Sequence, residues 1–100
     1  MKFRPVSDGG FTHWCPGCGH PHHLPGGRGW TFSGSGDALT AVPSFAHRWD
    51  EPAPGKPQKN LTPRVCHYIL AAGILHFQPD STHALVGRSV PVPDWPSPGA

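Results

Sequence analysis

Residues 65 to 77 read Val65-Cys-His-Tyr-Ile-Leu-Ala-Ala-Gly-Ile-Leu-His-Phe77. Two runs rich in β-branched and aromatic residues flank a short Ala-Ala-Gly segment, which is typical of a β-hairpin. Gly73 suits the turn because glycine adopts a positive φ without steric cost. The sequence therefore predicts an antiparallel pair of strands at this place.

Strand geometry separates the two chemically reactive residues of this hairpin. Successive side chains of a strand point to opposite faces, so Cys66 and His67 are expected on opposite faces of the sheet. If Cys66 faces a metal ion, His67 points away from that ion. It is then available as a base or as a buried, hydrogen-bonded residue.

Further strands are predicted on both sides of the hairpin. Short apolar or β-branched runs bounded by glycine and proline indicate strands over Trp30 to Phe32 and Leu39 to Val42, and another is expected over Ser89 to Val92. Asp80 or Ser81 is expected to cap one helical turn over residues 82–85. The expected fold class is a small, mostly β single domain with a zinc knuckle, β-hairpins and little helix.

The chain of 100 residues predicts one zinc-stabilised β domain over residues 1–92. Residues 50–60 consist mainly of prolines and charged residues and are expected to form a surface loop. Residues 93–100 are expected to form a proline-rich tail that is extended and partly frayed.

Charge and hydropathy narrow the range of partners. Eight Lys and Arg residues oppose six Asp and Glu residues, the net charge is +2, and the arginines are dispersed, so nucleic acid is not expected as a partner. No apolar run approaches the roughly 20 residues of a membrane span. The start, Met1-Lys-Phe-Arg-Pro-Val6, lacks the apolar core of a signal peptide, so we expect no membrane partner and a cytoplasmic location.

The cysteines indicate a metal site. Cys15 and Cys18 enclose a Pro-Gly turn, which is the spacing of a zinc knuckle, and Cys66 is the only other cysteine. A thioredoxin-like redox pair is the rival interpretation, but Gly19-His-Pro21 would break the helix that such a site requires. Three thiolates and one histidine make a closed tetrahedral site, so the expected cofactor is a structural Zn²⁺.

The fourth ligand is expected among His13, His20, His22 and His23. His22 is favoured because it follows the completed turn of the knuckle, and His20 is the close second. His20-Pro-His22 with Ser33 is also partly similar to the His-x-His and Ser-x-x-Asp pattern of zinc metallopeptidases. That pattern requires Asp at position 36, which is glycine here, so a catalytic zinc remains a minor alternative.

A candidate nucleophile follows Pro43, where a strand is expected to end. Ser44 needs a base within hydrogen-bond reach, and the candidates are His67 and His83. Asp80 is the candidate for orienting the histidine. From these residues alone, the ordinary interpretation is that a serine after a proline shapes a turn.

The ordered motifs resemble a known family. They are Cys15-Pro-Gly-Cys-Gly-His-Pro-His22, Trp30, Pro43-Ser44, Val65-Cys-His-Tyr68, Gly73-Ile-Leu-His-Phe77 and Asp80-Ser-Thr-His-Ala-Leu-Val-Gly87. They are similar to a family of small phage and prophage zinc-binding proteins, related to the serine-peptidase component of bacterial ubiquitination-like operons. Members often carry the name ammonia monooxygenase, which a chain without a membrane span or copper-type site does not support.

The resemblance implies roles for individual residues. Ser44 would be the nucleophile, His67 its general base and Cys66 a metal ligand, whereas Asp80 would complete a triad or be dispensable. The resemblance leaves the role of His83 open, and the two alternatives are a base in place of His67 and a residue that lines the pocket. A phage-encoded member would work in the host cytoplasm.

Two functions are therefore expected, and one distance discriminates between them. The first is a zinc-stabilised serine peptidase whose substrate is a protein or peptide, such as the tail of a ubiquitin-like protein. The second is a non-catalytic zinc-binding phage accessory module that binds a host protein. A separation near 3 Å between Ser44 Oγ and a nitrogen of His67 favours the peptidase.

Overall fold

The computed structural model describes residues 1–52, 55 and 61–96, which form two antiparallel sheets. The three-stranded sheet has the order β1-β2-β3, and the five-stranded sheet has the order β4-β5-β6-β7-β8. The strands are β1 Arg4–Pro5, β2 Phe11–Cys15, β3 His20–Leu24, β4 Thr31–Ser33, β5 Thr40–Pro52, β6 Leu61–Ala71, β7 Ile74–Phe77 and β8 Ser89–Pro91, with one 3₁₀ turn at Gly36–Ala38. The predicted fold class, mostly β with hairpins and little helix, is confirmed.

The predicted hairpin is formed by β6 and β7. Tyr68 lies opposite Phe77, and Ala71 lies opposite Ile74, so the turn is Ala72-Gly73. Gly73 has a φ of +76°, as the sequence predicted. Its N–H donates to the carbonyl of Leu39 at 2.8 Å and its carbonyl accepts from Val92, which joins the turn to both neighbouring segments.

Strand β5 is much longer than the sequence predicted. It continues to Pro52 and pairs with β6 as far as Leu61, so Asp50 to Pro52 are strand residues rather than loop residues. The pairing satisfies their backbone groups, which outweighs the low β-propensity of the charged residues. Of the remaining predicted loop, only Gly55 belongs to the described residues, and it lies in a turn.

The predicted helical turn over residues 82–85 is wrong. The segment consists of turns, in which Val86 N–H donates to His83 O at 3.2 Å. Asp80 and Ser81 do not cap a helix, because their side chains bond to His67 instead. Thr82 pairs with Val65 through its backbone N–H and its hydroxyl. The loop is thereby attached to the outer side of β6.

The core lies between the two sheets. It contains Leu24 from the small sheet and Tyr68, Leu70 and Leu75 from the large one, all buried. In the described part of the predicted tail, Trp95 donates its indole N–H to Lys2 O at 3.0 Å. Residues 97–100 lie outside the described part. Within the described ranges, no helix is long and apolar enough to cross a membrane.

Candidate active site and metal centre

Ser44 lies where the pairing of β5 with β6 is interrupted. The register shifts between Ala41 and Phe45, so Val42, Pro43 and Ser44 have no partner in β6. Such irregularities bend a strand and re-aim its side chains, and they are common beside active sites. The side chain of Ser44 is exposed and contacts His67 on the neighbouring strand.

The three residues Ser44, His67 and Asp80 form a hydrogen-bonded row. His67 Nε2 lies 3.2 Å from Ser44 Oγ, and His67 Nδ1 lies 2.9 Å and 3.2 Å from the two carboxylate oxygens of Asp80. A carboxylate only accepts, so Nδ1 carries the proton and Nε2 accepts from the serine hydroxyl. The hydrogen bond from His67 lowers the pKa of Asp80, which keeps this carboxyl ionised. This is the arrangement of nucleophile, base and orienting acid in serine hydrolases.

Two further residues contact this row, and the sequence did not predict either contact. The buried Ser81 accepts the N–H of His67 at 3.1 Å and donates to the His67 carbonyl at 2.9 Å. Arg48 reaches Asp80 with Nη2 at 3.5 Å from Oδ2. The Asp-Ser-Thr run was a usable signal for Ser81, because these side chains readily bond to nearby backbone.

The three cysteines converge on the other face of β6, as the alternation of side chains predicted. Cys15 ends β2, Cys66 lies in β6, and their sulfurs are 3.9 Å apart. Cys18 N–H donates to the sulfur of Cys15 at 3.4 Å, which closes the turn of the knuckle. Two ligands of a tetrahedral zinc at ~2.3 Å from the metal would be ~3.8 Å apart, so the spacing fits.

The ligand atom that lies close to all three sulfurs belongs to His83, whereas His22 is grouped only with Cys18 and His20. The ligand atoms of Cys15, Cys18, Cys66 and His83 all lie within 4.8 Å of one another. His83 Nε2 is 3.5 Å from Cys66 Sγ, close to the ~3.6 Å between a sulfur and a nitrogen on one tetrahedral zinc. His83 was expected as an alternative base or pocket residue, but it lies with the cysteines, on the face of β6 opposite His67.

Gly17 makes room for this histidine. A Cβ at Gly17 would overlap the imidazole ring of His83, so the Pro-Gly turn of the knuckle and the ring fit only because residue 17 has no side chain. Ligation through Nε2 requires the proton on Nδ1, so the N–H of Leu85, now 3.2 Å from Nδ1, would lose its acceptor when metal binds. The donor set and its spacing nevertheless suit Zn²⁺.

Hydrogen bonds among the three cysteines shift their pKa values in opposite directions. Hydrogen bonds from Cys18 and Cys66 lower the pKa of Cys15 to about 2. Donation to Cys15 raises the pKa of Cys18 to about 12 and also raises that of Cys66. Cysteines bind a metal as thiolates, so metal binding at this cluster would release the thiol protons.

His22 belongs to a separate buried network. His13 Nδ1 donates to the carbonyl of Trp14, so its Nε2 accepts from the Tyr68 hydroxyl at 2.6 Å. His22 Nδ1 then donates to the same hydroxyl oxygen at 3.3 Å, and its Nε2 is buried without a partner among the described residues. Burial lowers the pKa of His22 to about 4, so the ring is neutral at neutral pH.

The two histidines favoured for the fourth position, His22 and His20, form a second set of close ligand atoms together with Cys18. They share only this cysteine with the four-residue group. His23, another candidate, instead lies 2.9 Å from Asp8 at the surface. The geometry thus favours His83 for the site that all three cysteines form.

Comparison with known proteins identifies a family that matches most of the chain. The model of a family described as bacterial ubiquitination-like system serine protease (BubE) matches residues 3–78. Neither a curated protein nor a solved structure gives a match. The matched range contains Ser44, His67 and all three cysteines, and it confirms the relation to the serine-peptidase component of such operons. With three quarters of its length matched, the chain belongs to the BubE family of bacterial ubiquitination-like system serine proteases.

Proposed function

We propose that the protein is a serine peptidase in which Ser44 is the nucleophile, His67 the general base and Asp80 the residue that orients His67. The observation that carries the proposal is the 3.2 Å contact between Ser44 Oγ and His67 Nε2. It meets the distance criterion for general base catalysis. The family description supports the same reaction class.

The proposed reaction is acyl transfer in two steps. Ser44 Oγ attacks the carbonyl carbon of the scissile bond while its proton passes to His67 Nε2. The C–N bond then breaks, and the leaving amine takes that proton from His67. In the second step a water gives a proton to His67 Nε2 and attacks the acyl ester. The C–O bond to Ser44 Oγ then breaks, His67 returns the proton to this oxygen, and the acid product leaves. Asp80 stabilises the imidazolium in both steps without taking its proton.

The substrate we propose is the extended tail of a ubiquitin-like protein. Support comes from the family description, which concerns a ubiquitination-like system, and from the exposure of Ser44 on an open strand. An extended tail fits an open site better than a folded surface does, because its backbone is available for pairing with a strand.

The metal has a structural role in this proposal. Cys15, Cys18, Cys66 and His83 would hold Zn²⁺, which when bound supplies a cross-link between the knuckle and β6. Four protein ligands leave no open position for a water, and His67 and Ser44 lie on the other face of β6. The peptide hydrolysis is therefore assigned to Ser44 and His67 and not to the metal.

The test uses a small fluorophosphonate without a peptide portion. We expect it to label the wild-type protein at Ser44, as identified by mass spectrometry of the modified peptide, and we expect Ser44→Ala to abolish labelling. Ser89→Ala is the matched control, because Ser89 Oγ also contacts a histidine, His76 Nδ1, at 2.8 Å. Labelling that persists in Ser44→Ala would contradict the proposal.

A wild-type protein that this probe does not label would favour the other expected function, a non-catalytic zinc-binding module. The zinc content and the thermal unfolding of the same samples are measured in parallel with the labelling. They establish that an unlabelled variant has kept its fold.

A further inference from the structure

One edge of β5 beside Ser44 has no strand paired with it among the residues that the structure describes. Strand β4 pairs with β5 only at Thr40 to Val42, whereas β6 pairs with the other edge as far as Pro52. Ala46, His47 and Arg48 are exposed, as expected of residues at a sheet edge. An edge of this kind offers backbone groups to another extended chain.

The hydrogen bonds of β6 show which backbone groups of β5 point to this edge. His67 donates its N–H to Ser81 Oγ, and its carbonyl accepts from Gln78 N–H, so both groups face away from β5. In an antiparallel ladder the residue opposite such a position also has its N–H and C=O directed outward. Ala46 lies opposite His67. Its N–H and C=O therefore point to the open edge.

The same pattern of backbone bonds recurs two residues further along the strand. Val65 uses its N–H and C=O to bind Thr82, and Val65 lies opposite Arg48. Arg48 therefore also presents its backbone groups outward. Ala46 lies two residues after Ser44, and Arg48 lies two residues after Ala46. The backbone groups that point to the open edge therefore lie directly beside the proposed nucleophile.

We infer that an extended peptide substrate binds as an additional strand along this edge, pairing with the backbone of Ala46 and Arg48, and so brings its scissile carbonyl to Ser44. The inference rests on the proposed function of Ser44. A strand added at the normal spacing of ~4.8 Å lies alongside the serine and does not have to cross the sheet. Recognition through the backbone accepts many side chains, which suits a tail of varied sequence.

A cavity next to the edge gives the added strand a place for one set of its side chains. Phe45 and His47 of β5 line it together with residues 20–23 of β3, and its volume is about 280 Å³. Phe45 and His47 lie on the face opposite Ser44, since side chains alternate along β5. Alternate side chains of the peptide would enter this cavity, and the others would lie on the side of Ser44 and His67.

The experiment compares two phosphonates that both trap the nucleophilic serine. One is the small fluorophosphonate, and the other is acetyl-tetra-alanyl diphenyl phosphonate, which carries four backbone amides. Ala46→Pro removes one outward N–H without removing a bond to β6, and proline is tolerated at such edge positions. Asp50→Pro is the matched control, because residue 50 also faces outward but lies ~20 Å from Ser44 along the strand.

We expect Ala46→Pro to react with the small fluorophosphonate within about twofold of the wild-type rate, and about tenfold more slowly with the tetra-alanyl phosphonate. Asp50→Pro should match the wild type with both reagents. Unchanged reaction of Ala46→Pro with the tetra-alanyl phosphonate would overturn the inference. A wild-type protein that reacts with neither reagent would instead overturn the proposed nucleophile.

A second measurement needs no variant and covers the case in which Ala46→Pro fails to fold. A series of derivatives of the tetra-alanyl phosphonate is made, each with one backbone amide methylated. The rate of reaction of each derivative with the wild-type protein is measured. We expect slowing by about tenfold at every second amide, because only alternate amides of a strand face its neighbour. Equal rates for all derivatives would overturn the added strand.

Discussion

Among the described residues, two serine hydroxyls contact histidine rings on the five-stranded sheet, and the surroundings of these rings differ. Ser44 contacts Nε2 of His67, whose Nδ1 is bound by the carboxylate of Asp80. Ser89 contacts Nδ1 of His76, and no carboxylate bonds to His76 among the described residues. A base needs an orienting partner as well as a serine within reach. This difference at the scale of single residues is the reason why we propose Ser44, and not Ser89, as the nucleophile.

The first prediction concerns Asp80. Asp80→Asn removes the acceptor that fixes the proton on His67 Nδ1, so the base is held in the wrong tautomer. We expect the rate of fluorophosphonate labelling at Ser44 to fall by about 10²- to 10⁴-fold, with the unfolding temperature little changed.

The matched control for Asp80→Asn is Arg48→Ala. This change leaves the His67 contact in place and removes only the exposed ion pair at 3.5 Å. Exposed pairs of this kind are weak, so labelling should change by less than about fivefold. Wild-type labelling by Asp80→Asn would exclude the orienting role.

At the scale of elements, the β6–β7 hairpin determines where the functional groups go. It directs Cys66 to the knuckle and His67 to Ser44. Its turn also supports the start of β5, because Ala72 N–H donates to Thr40 Oγ1 at 2.8 Å and Gly73 N–H to Leu39 O. The conformation of this two-residue turn is therefore important for the stability of the whole large sheet.

The second prediction exchanges side chains within that turn. Ala72 has a φ of +50° and Gly73 a φ of +76°, both in the region that favours glycine. A Cβ at Gly73 would also overlap the carbonyl oxygen of Asp37. We expect Gly73→Ala to lower the free energy of unfolding by at least about 1 kcal/mol, which is roughly 4–8 °C in the unfolding temperature.

Ala72→Gly serves as the control, because we expect it not to lower the free energy of unfolding. Removing its Cβ relieves the cost of a positive φ, so stability should stay equal or rise by up to about 1 kcal/mol. Thermal and urea unfolding measure both variants. Destabilisation by Ala72→Gly as large as that by Gly73→Ala would contradict this account of the turn.

At the scale of the whole molecule, the candidate metal centre joins the small sheet, the large sheet and the loop after β7. Cys15 and Cys18 belong to the knuckle of the small sheet, Cys66 to the large sheet and His83 to the loop after β7. A small domain buries a limited apolar core, so such a cross-link contributes directly to the free energy of folding.

The third prediction is that one Zn²⁺ binds per chain and that removing it destabilises the protein. A strong chelator should lower the unfolding temperature by at least about 10 °C, and added Zn²⁺ should restore it. Elemental analysis and thermal unfolding measure the two effects. Unchanged unfolding after complete removal of zinc would contradict a structural metal.

The fourth prediction identifies the histidine ligand. His83→Ala should weaken zinc binding at least about tenfold, whereas His22→Ala should keep one zinc per chain even if the loss of its ring from the core lowers stability. The measurement is competition for zinc with a chromophoric chelator. Loss of zinc from His22→Ala combined with retention in His83→Ala would reverse the assignment.

The local pattern of the sequence was sufficient for the hairpin, the knuckle and the separation of Cys66 from His67. Each depends on short-range rules: the positive φ of a turn glycine, the two-residue spacing of a knuckle and the alternation of side chains along a strand. Short-range rules do not determine which distant residues come into contact. The sequence therefore indicated Ser44 as a candidate nucleophile and His67 as a candidate base, without showing that the two side chains meet. Residues 23 apart in the sequence approach each other only through strand pairing.

Only the tertiary structure decided the position of His83. The sequence places it in the same short run as Asp80, and local rules predicted a capped helical turn for that run. Bonds from Ser81 and Thr82 to the outer side of β6 fix the run as a loop instead, so that Asp80 reaches one face of the strand and His83 the other. These long-range bonds outweigh the weak preference of four residues for a helical turn.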